Sequence, residues 1–187
     1  YSRHYGFAWL APVVLGYLRW LHAMADLTFV PTPELARHLG GSGFQRLHVV
    51  GRGVDAVRFS PERRDPWLRH AWGANAADRV LLHVGRLAPE KNVPLALDAF
   101  EQLRAGRPGL RMVVVGDGPL RHALERAHPD VHFAGERLGD DLARHFASAD
   151  VFLFPSLTDT FGNVTLEALA SGLALDRKST RLNSSHL

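Results

Sequence analysis

From Arg79 to Gly172 the sequence alternates short apolar runs with segments of helical spacing, and this alternation constrains the fold more than any other feature. Arg79-Val80-Leu81-Leu82-His83-Val84-Gly85, Leu110-Arg111-Met112-Val113-Val114-Val115-Gly116, Val131-His132-Phe133-Ala134 and Val151-Phe152-Leu153-Phe154 read as strands. Asn92 to Leu103, Pro119 to Ala127 and Asp140 to Ser148 read as helices, the last capped by Gly139 or Asp140. A further helix carries Val164, Leu166, Ala168, Leu169 and Ala170, and Gly172 can stop it. Strands so nearly apolar are buried on both faces. The expected fold class is therefore α/β, a parallel sheet with helices on both sides. Such sheets bind ligands at the carboxyl ends of their strands. Gly85-Arg86, Gly116-Asp117-Gly118-Pro119, Gly135-Glu136 and Thr160 to Val164 all fall at such ends, so four loops are expected to converge on one crevice.

The part before Arg79 is less regular. Phe7 to Leu18 is apolar, but shorter than the 18 or so residues that a membrane span needs. It has neither the basic lead nor the cleavage site of a signal peptide. It reads as a helix from about Pro12 through Met24, packing against a core. Asp26 to Thr32 suits a short strand, Pro33 to Leu39 a helix with proline in its first turn, and Leu47 to Val50 another strand. From Pro61 to Asn75 the text turns charged and proline-bearing, and a domain boundary is placed there, giving segments 1–62 and 63–175. A chain of 187 residues can bury one sizeable core or the incomplete parts of two. Cysteine is absent, which excludes thiolate chemistry and cysteine zinc sites. The formal charge of +3 is modest and the arginines are scattered. With no basic block and no aromatic platform, a nucleic-acid partner is not expected.

Several chemistries can be set aside on spacing. Gly116-Asp117-Gly118 lacks the third glycine of a dinucleotide fingerprint, because Arg121 stands in its place. No Asp-x-Asp occurs to clamp a divalent metal on a diphosphate, and no His-Glu-x-x-His. His128 and His132 are separated by Pro129, which spoils a shared helix face. Ser156 and Ser171 sit in no Gly-x-Ser-x-Gly setting. Two arrangements remain. Arg86 and Lys91 flank the turn after the first strand of this half. A guanidinium fork and an ammonium there suit a pyrophosphate, although a surface arginine and a Lys91–Glu90 pair would look the same. The loop before Val164 points free backbone N–H groups at one spot, the usual place for an anion. Asp159 and Glu167 bracket it. Asp159 could equally complement the helix dipole, whereas Glu167 lies among small and apolar residues.

Gly85-Arg86-Leu87-Ala88-Pro89-Glu90-Lys91-Asn92, Val115-Gly116-Asp117-Gly118-Pro119, Ala149 to Ser156 and Phe161-Gly162 through Glu167 to Gly172, in this order, resemble the family 4 glycosyltransferases of the GT-B fold. The likeness runs from about Asp26 to Gly172. Gly53-Val54-Asp55 with Phe59-Ser60-Pro61 resembles the family's passage from its first Rossmann-like domain to its second. The resemblance implies a retaining transferase moving a sugar from a nucleotide-diphosphate donor to an acceptor hydroxyl, with no metal and no cofactor. Arg86 and Lys91 would hold the diphosphate and stabilise the charge on the leaving nucleotide. Glu167 would hold the ribose hydroxyls, and Asp159, in place of the more usual glutamate, would lie near the transferred sugar. Phe161, Gly162, Asn163 and Val164 would offer backbone N–H groups. Gly85 and Gly116 would border the donor, and Gly135, Glu136 and Arg137 would line the base pocket. The wording Thr158 to Val164 is similar to that of GDP-mannose-dependent α-mannosyltransferases acting on lipid or glycolipid acceptors, with a UDP-sugar as the other donor. A non-catalytic nucleotide-binding fragment and a nucleotide-sugar 2-epimerase are the alternative readings.

Two departures shape the expectation for this chain. The Gly-rich loop and the acceptor-side histidine of the family have no match within this sequence, so residues 1–62 read as the end of the acceptor-side domain and 63–175 as an incomplete donor-binding domain. From Asp176 the text is polar and patternless, and 176–187 are expected to form a foreign, disordered tail, leaving one edge of the sheet missing. The chain by itself is expected to bind a nucleotide sugar weakly and to transfer nothing. Nucleotide-sugar supply places it in the cytoplasm, with peripheral membrane contact through the first domain.

Overall fold

A computed structural model describes residues 11–51, 53–156 and 162–177, in two compact units, Tyr1–Arg52 and Gly53–Leu187. The first unit runs α1 (Ala11–Ala23), β1 (Thr28–Val30), α2 (Pro33–Gly41) and β2 (Leu47–Val49). β1 and β2 pair in parallel, Phe29 opposite His48. Thr32 caps α2 by accepting the Leu35 N–H at 3.1 Å, and Pro33 fills the first helical position, where no N–H is needed. Val30 and Phe44 are buried, and the His22 ring meets Phe44 edge-on. Tyr17 and Trp20 of α1, and Met24 just beyond it, are exposed rather than packed against a core. No helix among the described residues is long and apolar enough to cross a membrane.

The second unit carries the expected sheet. It contains α3 (Pro66–Ala71), β3 (Arg79–Val84), α4 (Val93–Arg104), β4 (Leu110–Val115), α5 (Arg121–Ala127), β5 (His132–Gly135), α6 (Gly139–Ser148), β6 (Val151–Phe154), α7 (Asn163–Ala170) and β7 (Ala174–Arg177). All strands are parallel, in the order β5-β4-β3-β6-β7. β3 lies at the centre and the chain winds outward from it both ways. Alternate residues of β3 and β4 serve opposite faces. Val80, Leu82, Val84 and Val113 join Phe146 and Phe152 in one core, and Leu81, Met112 and Val114 join Leu97 and Phe100 in the other. Burial of large side chains on both faces is the main force holding this unit together.

Four details depart from the sequence reading. Residues 53–62, expected with the first segment, belong to the second unit, where Phe59 packs edge-on against Phe146. The charged stretch after them is ordered: Ser60 caps a single 3-10 turn, Pro61–Arg63, and Asp65 caps α3 by accepting N–H from Trp67 and Leu68. The start of α6 has no side-chain cap. Leu138 occupies the cap position, and Asp140 instead pairs with Arg58 at 3.3 Å and Arg63 at 3.5 Å. The sheet also has its edge. β7 pairs with β6 along its whole length, Asp176 opposite Leu153 and Arg177 opposite Phe154, because backbone pairing does not depend on side-chain polarity. The rest of the expected tail, 178–187, lies outside the described residues.

At the amino-terminal ends of the strands a polar clamp replaces apolar packing. Asp150, just before β6, accepts the Val80 N–H at 2.8 Å, Arg64 Nη2 at 2.8 Å and Arg69 Nη1 at 3.1 Å. Arg69 is 4% exposed and also donates to the carbonyls of Ser148, Asn75 and Asp78. Burial pushes the Asp150 carboxyl up, but the Val80 N–H and the two guanidiniums outweigh it and hold the group below its ordinary value.

Candidate functional site

At the opposite, carboxyl ends the loops are tied to one another through backbone. Gly85 N–H donates to Val115 O at 3.0 Å, Gly116 N–H to Gly135 O at 2.8 Å, and Leu87 N–H to Asp117 O at 2.9 Å. Gly116 has φ +138°, and a Cβ there would overlap the Gly85 carbonyl, so the loops after β3 and β4 can run this close only with glycine at that position.

A cleft of about 410 Å³ opens above these contacts, lined by Gly85, Arg86, Gly116, Asp117, Glu136 and Arg137 with flanking apolar residues. Five of the predicted site residues therefore meet in one place. Gly135, also predicted, ends β5 just below, under the Arg121 guanidinium. Two arginines and two carboxylates share the cleft, enough to position a ligand that carries both phosphate and hydrogen-bonding edges. Asp117 was read as part of a crevice loop, but not singled out as a site residue. Its carboxyl is held below the ordinary value first by the Gly118 N–H at 2.6 Å and then by Arg121.

Lys91 closes a 3-10 turn, Pro89–Lys91, at the head of α4, its N–H bonded to Ala88 O at 3.0 Å. It does not border the 410 Å³ cleft. Its charge is felt by His83, which the sequence reading placed in a strand without assigning it a role. His83 is fully buried near the end of β3, and its Nδ1 lies 3.1 Å from Leu153 O. A carbonyl only accepts, so Nδ1 carries the hydrogen. Burial pushes this imidazole down to about 4, opposed by the Leu153 bond and assisted by Lys91, so it is neutral. A lone polar residue in an apolar strand was the signal that could have singled it out.

On α7, Gly162 occupies the cap position, and its carbonyl accepts both the N–H and the hydroxyl of Thr165. Asn163 is exposed and Val164 packs against the core. Glu167 is half-buried, and burial raises its carboxyl. β6 neighbours β3, so the loops after these two strands share one side of the sheet. Asp159 and Phe161 lie outside the described residues. Among the described residues no cluster of His, Asp or Glu is grouped to hold a metal.

Residues 78–175 match the family described as glycosyl transferases group 1. A GDP-mannose-dependent alpha-mannosyltransferase of Mycobacterium tuberculosis is 39% identical over 173 residues, covering 92% of this chain and 44% of that protein. Sulfoquinovosyl transferase SQD2 of Arabidopsis thaliana is 35% identical, with 92% of this chain and 34% of that protein covered. Among solved structures, HepE of Anabaena in complex with UDP and glucose superposes with a TM-score of 0.68 at 24% identity, over 86% of this chain and 46% of that one. The architecture is that of the GT-B glycosyltransferases. The chain spans less than half the length of these relatives.

Proposed function

This chain belongs to the glycosyl transferases of group 1, and from that premise we propose that its second unit is the donor-binding part of an enzyme that moves a sugar, mannose by preference, from a nucleotide diphosphate to an acceptor hydroxyl of a lipid or glycolipid. The observation that carries the reading is the meeting of Arg86, Asp117, Glu136 and Arg137 with the Gly85 and Gly116 backbones in one cleft at the carboxyl ends of the strands. Arg86 forks onto the diphosphate and Lys91 adds a second cation, so fixed positive charge stands where negative charge grows as the sugar leaves. Glu167 accepts hydrogen bonds from the ribose hydroxyls, and the Glu136–Arg137 turn faces the base. Asp159 and the 161–164 backbone complete the sugar side. The first unit is the end of the acceptor-side domain, and transfer belongs to the whole protein, on the cytoplasmic side of a membrane. GDP-mannose is favoured over a UDP-sugar because several curated relatives named for GDP-mannose are 34–39% identical. The sulfoquinovosyl relative keeps the sugar a matter for experiment.

Calorimetric titration of the chain with GDP and then UDP tests this, repeated on Arg86→Ala, Lys91→Ala and Glu167→Ala. Binding of one nucleotide, weakened about tenfold or more by each substitution, is the expected result. Binding that all three variants retain would place the donor elsewhere.

A further inference from the structure

Two carboxylates line the 410 Å³ cleft, and they are held differently. Glu136 is exposed and makes no hydrogen bond or ion pair among the described residues. Asp117 is fixed from two sides: Oδ1 accepts the Gly118 N–H at 2.6 Å and Oδ2 accepts Arg121 Nη1 at 3.1 Å. Arg121, which stands where a dinucleotide fingerprint has its third glycine, is held in turn. Its Nε donates to Glu125 Oε1 at 2.8 Å, and its guanidinium fills the space that a side chain at Gly135 would need. Two carboxylates share this guanidinium, so Asp117, Arg121 and Glu125 together keep a formal negative charge. A carboxylate has about four lone-pair sites, and the two bonds to Asp117 leave one open on each oxygen. An exposed ion pair four residues apart adds little to stability, so folding alone gives weak reason to aim this acceptor at the rim. A ligand gives a better one, because an acceptor already in place binds its donors at low entropic cost.

We propose that Asp117 is the specificity-determining residue of the cleft, its two oxygens accepting the N1–H and the 2-amino group of guanine, and that Arg121 is the positioning residue that aims it. The inference rests on the donor-site reading of the cleft. Guanine suits a fixed carboxylate because it presents two adjacent N–H donors on one edge. Uracil presents a single N–H between two carbonyl oxygens, and both would meet the negative charge. Arg86, on the neighbouring loop, lines the same cleft with the opposite sign, so the two ends of a nucleotide are sorted by charge.

The test titrates the whole chain with GDP, inosine diphosphate and UDP, because inosine keeps the N1–H and lacks the 2-amino group. The wild type is expected to bind GDP about tenfold more tightly than inosine diphosphate, the effect of one hydrogen bond to a charged group, and UDP less tightly than either. In Asp117→Ala and Arg121→Met the ratio of GDP to inosine diphosphate affinity is expected to fall close to unity. In Arg121→Lys, which returns a cation to Asp117, and in Glu136→Gln it is expected to stay near its wild-type value. A general loosening of the cleft weakens both purine nucleotides alike and leaves the ratio in place; that result gives the pair a structural role and refutes the proposal. A ratio lost in Glu136→Gln but kept in Asp117→Ala refutes it as well. A ratio near unity in the wild type does so without any variant, even where Asp117→Ala does not fold. If GDP binding is still weakened by Arg86→Ala in any of these cases, the donor site stands and this inference alone falls. If no nucleotide binds, the donor-site reading falls with it.

Discussion

Alanine at position 116 separates backbone strain from steric overlap at the rim of the cleft. Gly116 has φ +138°, a conformation that costs an L-residue roughly 1–3 kcal/mol. Its new Cβ would also run into the Gly85 carbonyl, a backbone group that cannot swing aside as a side chain can. Overpacking of that kind costs about 1–3 kcal/mol more. Gly139 supplies the control: φ is +56°, but nothing lies within 4 Å of a built Cβ, so Gly139→Ala meets only the strain, roughly 1–2 kcal/mol. Gly85→Ala supplies the other, since its Cβ makes ordinary contact with the His83 ring and Gly85 has no positive φ. The expected order of loss is Gly116→Ala, roughly 2–6 kcal/mol, then Gly139→Ala, then Gly85→Ala. Urea unfolding of the three variants and the wild type, with equal m-values as the check on two-state behaviour, measures it. If Gly116→Ala lies within about 0.5 kcal/mol of Gly139→Ala, the overlap is relieved by a cheap shift and the account of the cleft rim is wrong.

Two further outcomes follow from charge. Asp150→Ala leaves the buried Arg69 guanidinium without its carboxylate and is expected to cost roughly 3–5 kcal/mol at pH 7. The native carboxyl of Asp150 is depressed, so its contribution is complete above the unfolded value near 4 and fades as pH falls through the lower folded value. Denaturation at pH 7 and pH 3 checks this, and an unchanged gap between variant and wild type would refute the clamp. Glu167→Gln has the opposite sign. Burial raises that carboxyl, so the native state holds its proton more tightly than the unfolded chain and loses stability as pH rises through the folded value. The variant is expected to be more stable than wild type at pH 7 and level with it below pH 4. Nucleotide binding should weaken in the same variant, and a stabilised variant that binds as before would separate Glu167 from the donor.

The sheet was open to a reader of the sequence because Val80 to Val84, Leu110 to Val115 and Val151 to Phe154 are apolar on both faces but for His83 and Arg111, and a covered parallel strand needs that. Their glycine-bearing ends carried the cleft with them. Local composition misled where contacts are distant. Arg69 and Asp150 are 81 residues apart, and nothing in the charged stretch around Arg69 announces a partner so far along the chain. The Asp65-Pro66 pair, by contrast, is a cap followed by a first-turn proline, and it was there to be read as a helix start. β7 was missed for a different reason. An edge strand is recruited by the exposed ladder of its neighbour, so Asp176 and Arg177 join without any apolar pattern. Lys91 stands off the 410 Å³ cleft while Arg86 lines it, a difference that spacing within one loop could not reveal.

The Asp150 clamp and the glycine-bounded cleft sit at opposite poles of the same sheet. Guanidinium bridges and apolar layers anchor one pole, whereas the other is held by main-chain bonds that most side chains would leave undisturbed. Exposed side chains such as Glu136 and Arg137 can therefore be exchanged with little toll on folding, and the lining of the cleft can be varied on this frame one loop at a time.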